Sequence, residues 1–176
     1  MKLFSLKSKL VAATAATAIL SSGMAVAQES DSKIMMGFNP FSSSNNIAVS
    51  SAVAPSYMIG FKVSETLVPY AYLTVADYQA RDGSGTDTGI ALGGGARMYL
   101  GDISNQIRPF AGGALGLVNQ DDTGFALGAF FGAEAMITDG ISISGQIGAG
   151  LSDAGCNGCD TQLELGAGNV MFNLYF

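Results

Sequence analysis

The stretch Ile141-Ser142-Ile143-Ser144-Gly145-Gln146-Ile147-Gly148-Ala149-Gly150-Leu151 alternates bulky apolar residues with small or polar ones. Ile141, Ile143, Ile147 and Leu151 share one face of an extended chain; Ser142, Ser144, Gln146, Gly148 and Gly150 share the other. Side chains of a strand point alternately to its two faces, so this period predicts a strand with two unlike sides. The pattern returns upstream. In 123–137, Phe125, Leu127, Ala129, Phe131, Ala133, Ala135 and Ile137 oppose Ala126, Gly128, Phe130, Gly132, Glu134 and Met136. In 88–100, Ile90, Leu92, Ala96, Met98 and Leu100 oppose Ala91, Gly93, Gly95, Arg97 and Tyr99. In 56–63, Tyr57, Ile59, Phe61 and Val63 oppose Ser56, Met58, Gly60 and Lys62. Weaker strands are expected at 67–79, 107–119 and 161–176, and an eighth early, most simply at 32–39 with 46–53 as the alternative.

Glycines interrupt every apolar run, which disfavours helices. Past residue 27 no stretch reaches the roughly 18 apolar residues of a membrane helix. The connections differ in character. Ser64-Glu65-Thr66, 101–106 and Thr138-Asp139-Gly140 are short and fall at one end. Residues 40–46, 80–87, 119–123 and 153–160 fall at the other and are richer in Gly, Ser, Asn and Asp. A soluble sandwich would carry charges on its outward face, and a soluble ligand-binding barrel would turn bulky apolar residues inward. Here one face is continuously apolar and the other small and weakly polar. This favours an all-β, antiparallel up-and-down transmembrane barrel of about eight strands, whose interior is about wide enough to be filled by side chains.

Composition agrees. Of 176 residues, 48% are hydrophobic and only 12% charged, about half the usual charged share. Eight Lys and Arg against 14 Asp and Glu give a formal charge of −6. Low charge and an acidic balance argue against nucleic-acid binding. The chain has no His, which excludes Ser-His-Asp triads, His-ligated metals and His general bases. No metal or other cofactor is expected.

Residues 1–27 read as a signal peptide. Lys2, Lys7 and Lys9 form a positive start, Leu10 to Leu20 an uncharged, mostly apolar run, and Ala25-Val26-Ala27 the small residues before a cleavage site preceding Gln28. Residues 28–176 would then form one barrel domain with five basic residues, Lys33, Lys62, Arg81, Arg97 and Arg108, and all 14 acids, a formal charge of −9.

The last run, Val170-Met171-Phe172-Asn173-Leu174-Tyr175-Phe176, places Val170, Phe172, Leu174 and Phe176 on one face and ends on Phe. It resembles the assembly signal of bacterial outer-membrane barrels. With the signal peptide, the whole chain resembles the small eight-stranded barrels grouped with OmpX, the opacity proteins and the membrane domain of OmpA. Many of those have an aromatic residue where this chain has Leu174. The resemblance implies residence in the outer membrane, contact with its lipid and lipopolysaccharide, delivery by the outer-membrane assembly machinery, and a monomer. Tyr70, Tyr99, Phe110, Phe172, Tyr175 and Phe176 are expected near one membrane interface and Tyr57, Tyr78 and Phe125 near the other. Leu163, Leu165 and Ala167 have the opposite parity from Val170 onward, so a bulge is expected near Gly168-Asn169.

Arg97, Arg108 and Glu134 fall on three consecutive strands near the same barrel end, and charges inside a narrow barrel are expected to pair. Lys62 and Glu164 are candidates to extend that lumen network. The favoured role is a structural plug; the sharper one is a gate. Cys156-Asn157-Gly158-Cys159 lacks the strand-to-helix setting of a redox motif and the further ligands of a metal site, so a loop disulfide is expected. Asp82, Asp87, Asp121, Asp122, Asp153 and Asp160 read as solvated loop carboxylates, with calcium or lipopolysaccharide bridging the less favoured role. The leading function is a non-enzymatic outer-membrane protein with an envelope-structural role or a surface-interaction role through its external loops. The alternatives are a narrow channel for ions or small solutes gated by the Arg and Glu residues, a lipid-acting enzyme disfavoured by the missing His, and a soluble periplasmic β-protein.

Overall fold

A computed structural model describes residues 34–40, 52, 55–79, 86–101, 106–119, 123–153 and 161–176. Eight strands follow one another: β1 Ile34–Phe38, β2 Tyr57–Phe61, β3 Leu67–Gln79, β4 Thr86–Tyr99, β5 Ile107–Asn119, β6 Thr123–Thr138, β7 Ile141–Asp153 and β8 Gln162–Tyr175. Each pairs antiparallel with the next, and β1 pairs with β8 to close the barrel. The first strand is the earlier of the two candidates. The later one, 46–53, lies outside the described residues apart from Ala52. The segment 1–27, Cys156 and Cys159 lie outside them too, as do Asp82, Asp121, Asp122 and Asp160.

The two faces of each strand sort as their alternation requires. Ile147, Leu151, Phe125, Leu127, Ile90 and Leu92 point outward, whereas Ser142, Ser144, Gln146, Ala126 and Ala91 are buried inside. Phe131 is 65% and Leu165 73% exposed. An exterior this apolar is unsuited to water, and the β1–β8 pairing closes the sheet on itself. Both are what a bilayer demands of a strand-built protein. No described helix is long and apolar enough to cross a membrane.

The short connections gather at one end. In the β2–β3 turn the Ser64 hydroxyl accepts from the Leu67 amide at 3.0 Å and the Thr66 amide at 3.3 Å. Side-chain bonds of this kind replace the ladder where the chain reverses. Asp139-Gly140 joins β6 to β7, with the Tyr175 amide donating to the Gly140 carbonyl at 2.9 Å.

The parity reversal in β8 is resolved at Gly166, two residues before the expected place. Gly148 pairs with Ala167 and Ala149 with Leu165, leaving Gly166 as the extra residue. Its φ of +80° suits glycine, which has no Cβ to oppose that conformation. Ala167 therefore turns inward, where it is buried, rather than sharing the outward face of Leu163 and Leu165. From there Met171 and Asn173 face the lumen, while Val170 and Leu174 are exposed. A second register shift lies between Met136 and Thr138, at the short turn.

The aromatic residues divide differently from the interface expectation. Tyr70, Tyr99 and Phe110 are buried inside the barrel, joined by Tyr72 and Phe130, and the Tyr175 hydroxyl reaches the lumen network. Tyr57, Phe125 and Phe176 are exposed, and Phe38 and Phe172 stack at 5.5 Å. The inward rings occupy the space that the glycine-rich face leaves free. A Cβ on Gly93 would come within 2.6 Å of the Tyr72 ring, and one on Gly112 within 2.6 Å of the Phe130 ring. Glycine is what lets large and small inward positions interdigitate in so narrow a barrel.

Candidate functional site

The lumen near the short-turn end is polar and charged. Arg108 on β5 and Glu134 on β6 are register partners, both with inward side chains. Arg108 Nη2 donates to Glu134 Oε2 at 3.0 Å. Glu134 is wholly buried and serves three other strands as well. It accepts from the Tyr99 hydroxyl on β4, the Ser142 hydroxyl on β7, the Tyr175 hydroxyl on β8 and, at 3.4 Å, the Asn173 amide on β8. One carboxylate thus ties β4 through β8 together. Burial of an ion pair is costly unless its remaining lone pairs and protons find partners, and here the carboxylate oxygens do.

Arg108 is held on its other faces. Its Nη2 also lies 3.1 Å from Met136 Sδ and 3.5 Å from the Tyr175 hydroxyl. Its guanidinium carbon stands 4.8 Å from the Tyr99 ring centre and 5.9 Å from that of Tyr175. Cation–π contacts offset part of the lost hydration.

Arg97 has a different environment. It faces the lumen from β4, 1% exposed. Its Nη2 donates to Gln146 Oε1 at 3.0 Å and Met171 Sδ at 3.3 Å, and its guanidinium covers the Phe110 ring at 4.7 Å. It contacts no carboxylate: among the described residues the single salt bridge is Arg108–Glu134. Its Nε and Nη1 have no hydrogen-bond partner among the described residues.

Lys62 lies half-buried at the short-turn mouth and lines a cavity of about 20 Å³ with Met35, Glu65, Val68, Tyr99, Arg108 and Tyr175. Glu164 stands opposite Gly150, beyond the bulge. Ser142, which bonds Glu134, is eight residues away along β7, about 27 Å at the usual rise. Glu164 is therefore remote from the Glu134 cluster. Val170, Phe172, Leu174 and Phe176 lie on the last strand and its end, clear of this cluster, with Val170, Leu174 and Phe176 exposed.

The residues that complete the cluster are Tyr99, Ser142, Gln146, Met171, Asn173 and Tyr175. Tyr99 shares the parity of Arg97, and Ser142 and Gln146 lie on the small face of their strand, so their inward direction was readable. The convergence of Tyr99, Ser142, Asn173 and Tyr175 on one carboxylate was not, because it depends on the register across five strands. Chemically the cluster binds strands to one another across the lumen. Ser142 donates its proton to Glu134, and among the described residues no three His, Cys, Asp or Glu side chains are grouped to hold a metal.

No family model matches the chain, and no curated protein matches it. Among solved structures the chain is similar to the solution structure of outer membrane protein W of E. coli, at 13% identity and a TM-score of 0.47, covering 85% of this chain and all of that one.

Proposed function

We propose that this chain is a non-enzymatic outer-membrane protein, a closed barrel that anchors its longer connections at the cell surface for an envelope-structural or surface-interaction role. The observation that carries this reading is the Glu134 cluster. It crosses the lumen and bonds five strands, and the one hydroxyl that donates to the carboxylate from a serine, Ser142, is wholly buried with it. Aromatic side chains fill the lumen beside it. In this reading residues 1–27 direct export and are removed before Gln28. The Val170, Phe172, Leu174 and Phe176 face is read by the outer-membrane assembly machinery. The short turns face the periplasm, and the protein works as a monomer amid outer-membrane lipid and lipopolysaccharide. Cys156 and Cys159 form a disulfide in the last external loop.

The test is to fold residues 28–176 into a lipid bilayer, verify folding by heat-modifiable gel migration, and record single-channel conductance. A folded barrel that stays silent supports the anchor. Steady conductance that rises on Arg97 or Glu134 replacement overturns it in favour of a narrow gated channel.

A further inference from the structure

The wall of the barrel is uneven. Strands β3 to β8 have 13 to 16 residues each, whereas β1 and β2 have five. β8 meets β7 from Gln162 to Leu174, but among the described residues it meets β1 through Phe172–Tyr175, facing Met35–Phe38. Two backbone bonds between Ile34 and Phe176, at 3.1 and 3.0 Å, finish this seam at the short-turn end. β2 meets β3 through Tyr57–Gly60, facing Tyr70–Leu73. Both short strands end beside a proline: β1 runs out at Asn39-Pro40, and β2 begins after Pro55-Ser56. Proline has no amide to give to a ladder.

The polar cluster does not reach these two strands. The side chains that Glu134 and Arg97 bond lie on β4, β5, β7 and β8. The inward residues of β1 and β2 are Met35, Gly37, Met58 and Gly60, which offer no side-chain donor and no acceptor beyond a thioether. A Cβ on Gly37 would come within 3.0 Å of the Met58 methyl and 3.1 Å of the Met171 methyl, so methionines fill the space the glycine leaves. Methionine repacks at low cost. At the outer end of the seam a ring pair, Phe38 on Phe172 at 5.5 Å, joins β1 to β8. β2 is tied to β3 covalently, through the turn that the Ser64 hydroxyl braces.

We infer that β1 and β2 form a door in the barrel wall, which parts from β8 at the β1–β8 seam, is hinged where β2 turns into β3, and leaves β3–β8 in place. Local opening takes the unit with the least ladder and packing to lose. Opening uncovers the side of the lumen where Val68, Tyr70 and Tyr72 lie, and leaves the Arg108–Glu134 pair closed. The door does not depend on what the external loops do.

The test is amide hydrogen exchange of the folded barrel, read residue by residue by NMR. The Ile34–Phe176 bonds set the alternation, so the amides of Met36, Phe38, Phe172 and Leu174 also face across the seam. They should exchange at least about tenfold faster than those in the middle of β6 and β7, with one shared dependence on urea, as the opening of a single unit gives. Phe38→Ala should speed them about fivefold further, the worth of an aromatic pair, and leave β6 and β7 unchanged. Met36 and Leu174 are register partners and both outward, at the Cα separation of about 5.5 Å that a disulfide takes. Met36→Cys with Leu174→Cys, in a chain carrying Cys156→Ser and Cys159→Ser, should slow the seam amides to the rates of β6 and β7. Equal protection of the seam and of β6 and β7 in the wild type overturns the door, and this comparison decides even where the tethered chain does not fold. Seam rates that the tether leaves unchanged overturn it as well.

Discussion

Arg108 and Glu134 face one another across the β5–β6 ladder, and their 3.0 Å ion pair is the one point where a cation and an anion meet among the described residues. Removing one member of such a pair costs more than the pair itself contributes, because the other is left charged and dry. Glu134→Gln should destabilise the folded barrel by about 3–5 kcal/mol. Replacing Arg108 by Gln in the same chain should recover part of the loss, because the two changes are coupled. Urea unfolding from lipid vesicles checks both; additive losses would show that the pair is energetically irrelevant.

Arg97 predicts the opposite sign of sensitivity. It meets Gln146, Met171 and the Phe110 ring but no carboxylate. Arg97→Met removes a desolvated charge without orphaning an anion, so stability should change by less than about 1 kcal/mol or rise. The same unfolding measurement, run beside Glu134→Gln, gives the comparison. A loss as large as that of Glu134→Gln would contradict this account of Arg97.

Gly166 and Gly145 form a matched pair, since a Cβ at either meets nothing within 4 Å. They differ in backbone, because φ is +80° at Gly166. Gly166→Ala should cost about 1–2 kcal/mol through that conformation alone. Gly145→Ala should be neutral or stabilise by about 0.5 kcal/mol through the unfolded chain. Equal effects would mean that the bulge is not where the strain would lie.

The exterior makes a separate prediction. Phe131 is outward-facing in the middle of β6. Phe131→Arg should destabilise the barrel folded in vesicles by about 2–4 kcal/mol, the usual cost of a cation near the bilayer midplane. Little change would argue that this face meets water.

Much of the fold was legible because alternation is a local property. The runs 67–79 and 107–119 could be bounded from the chain, and β3 and β5 have those limits. The reversal of parity in β8 was legible as a necessity, but its position was not. Gly166, Gly168 and neighbouring residues all permit a bulge, and the choice is made by pairing with Gly148 and Ala149 on β7. The aromatic residues were harder still. A tyrosine suits a membrane interface and a packed interior equally by chemistry, and the parity of Tyr99, grouped with Arg97, was the better guide.

The alternating pattern by itself determined that these strands have one apolar and one small or polar face, that bulky side chains meet the surroundings, and that Arg97 and Glu134 turn inward. Those outcomes follow from the two-residue period of extended chain, which each strand obeys alone. Only the tertiary structure decided that Glu134 takes Arg108 and leaves Arg97 to Gln146 and Phe110, and that glycines such as Gly93 and Gly112 make room for rings from other strands. These are contacts across a closed barrel. They depend on the relative register of up to five strands, and no single strand carries that information.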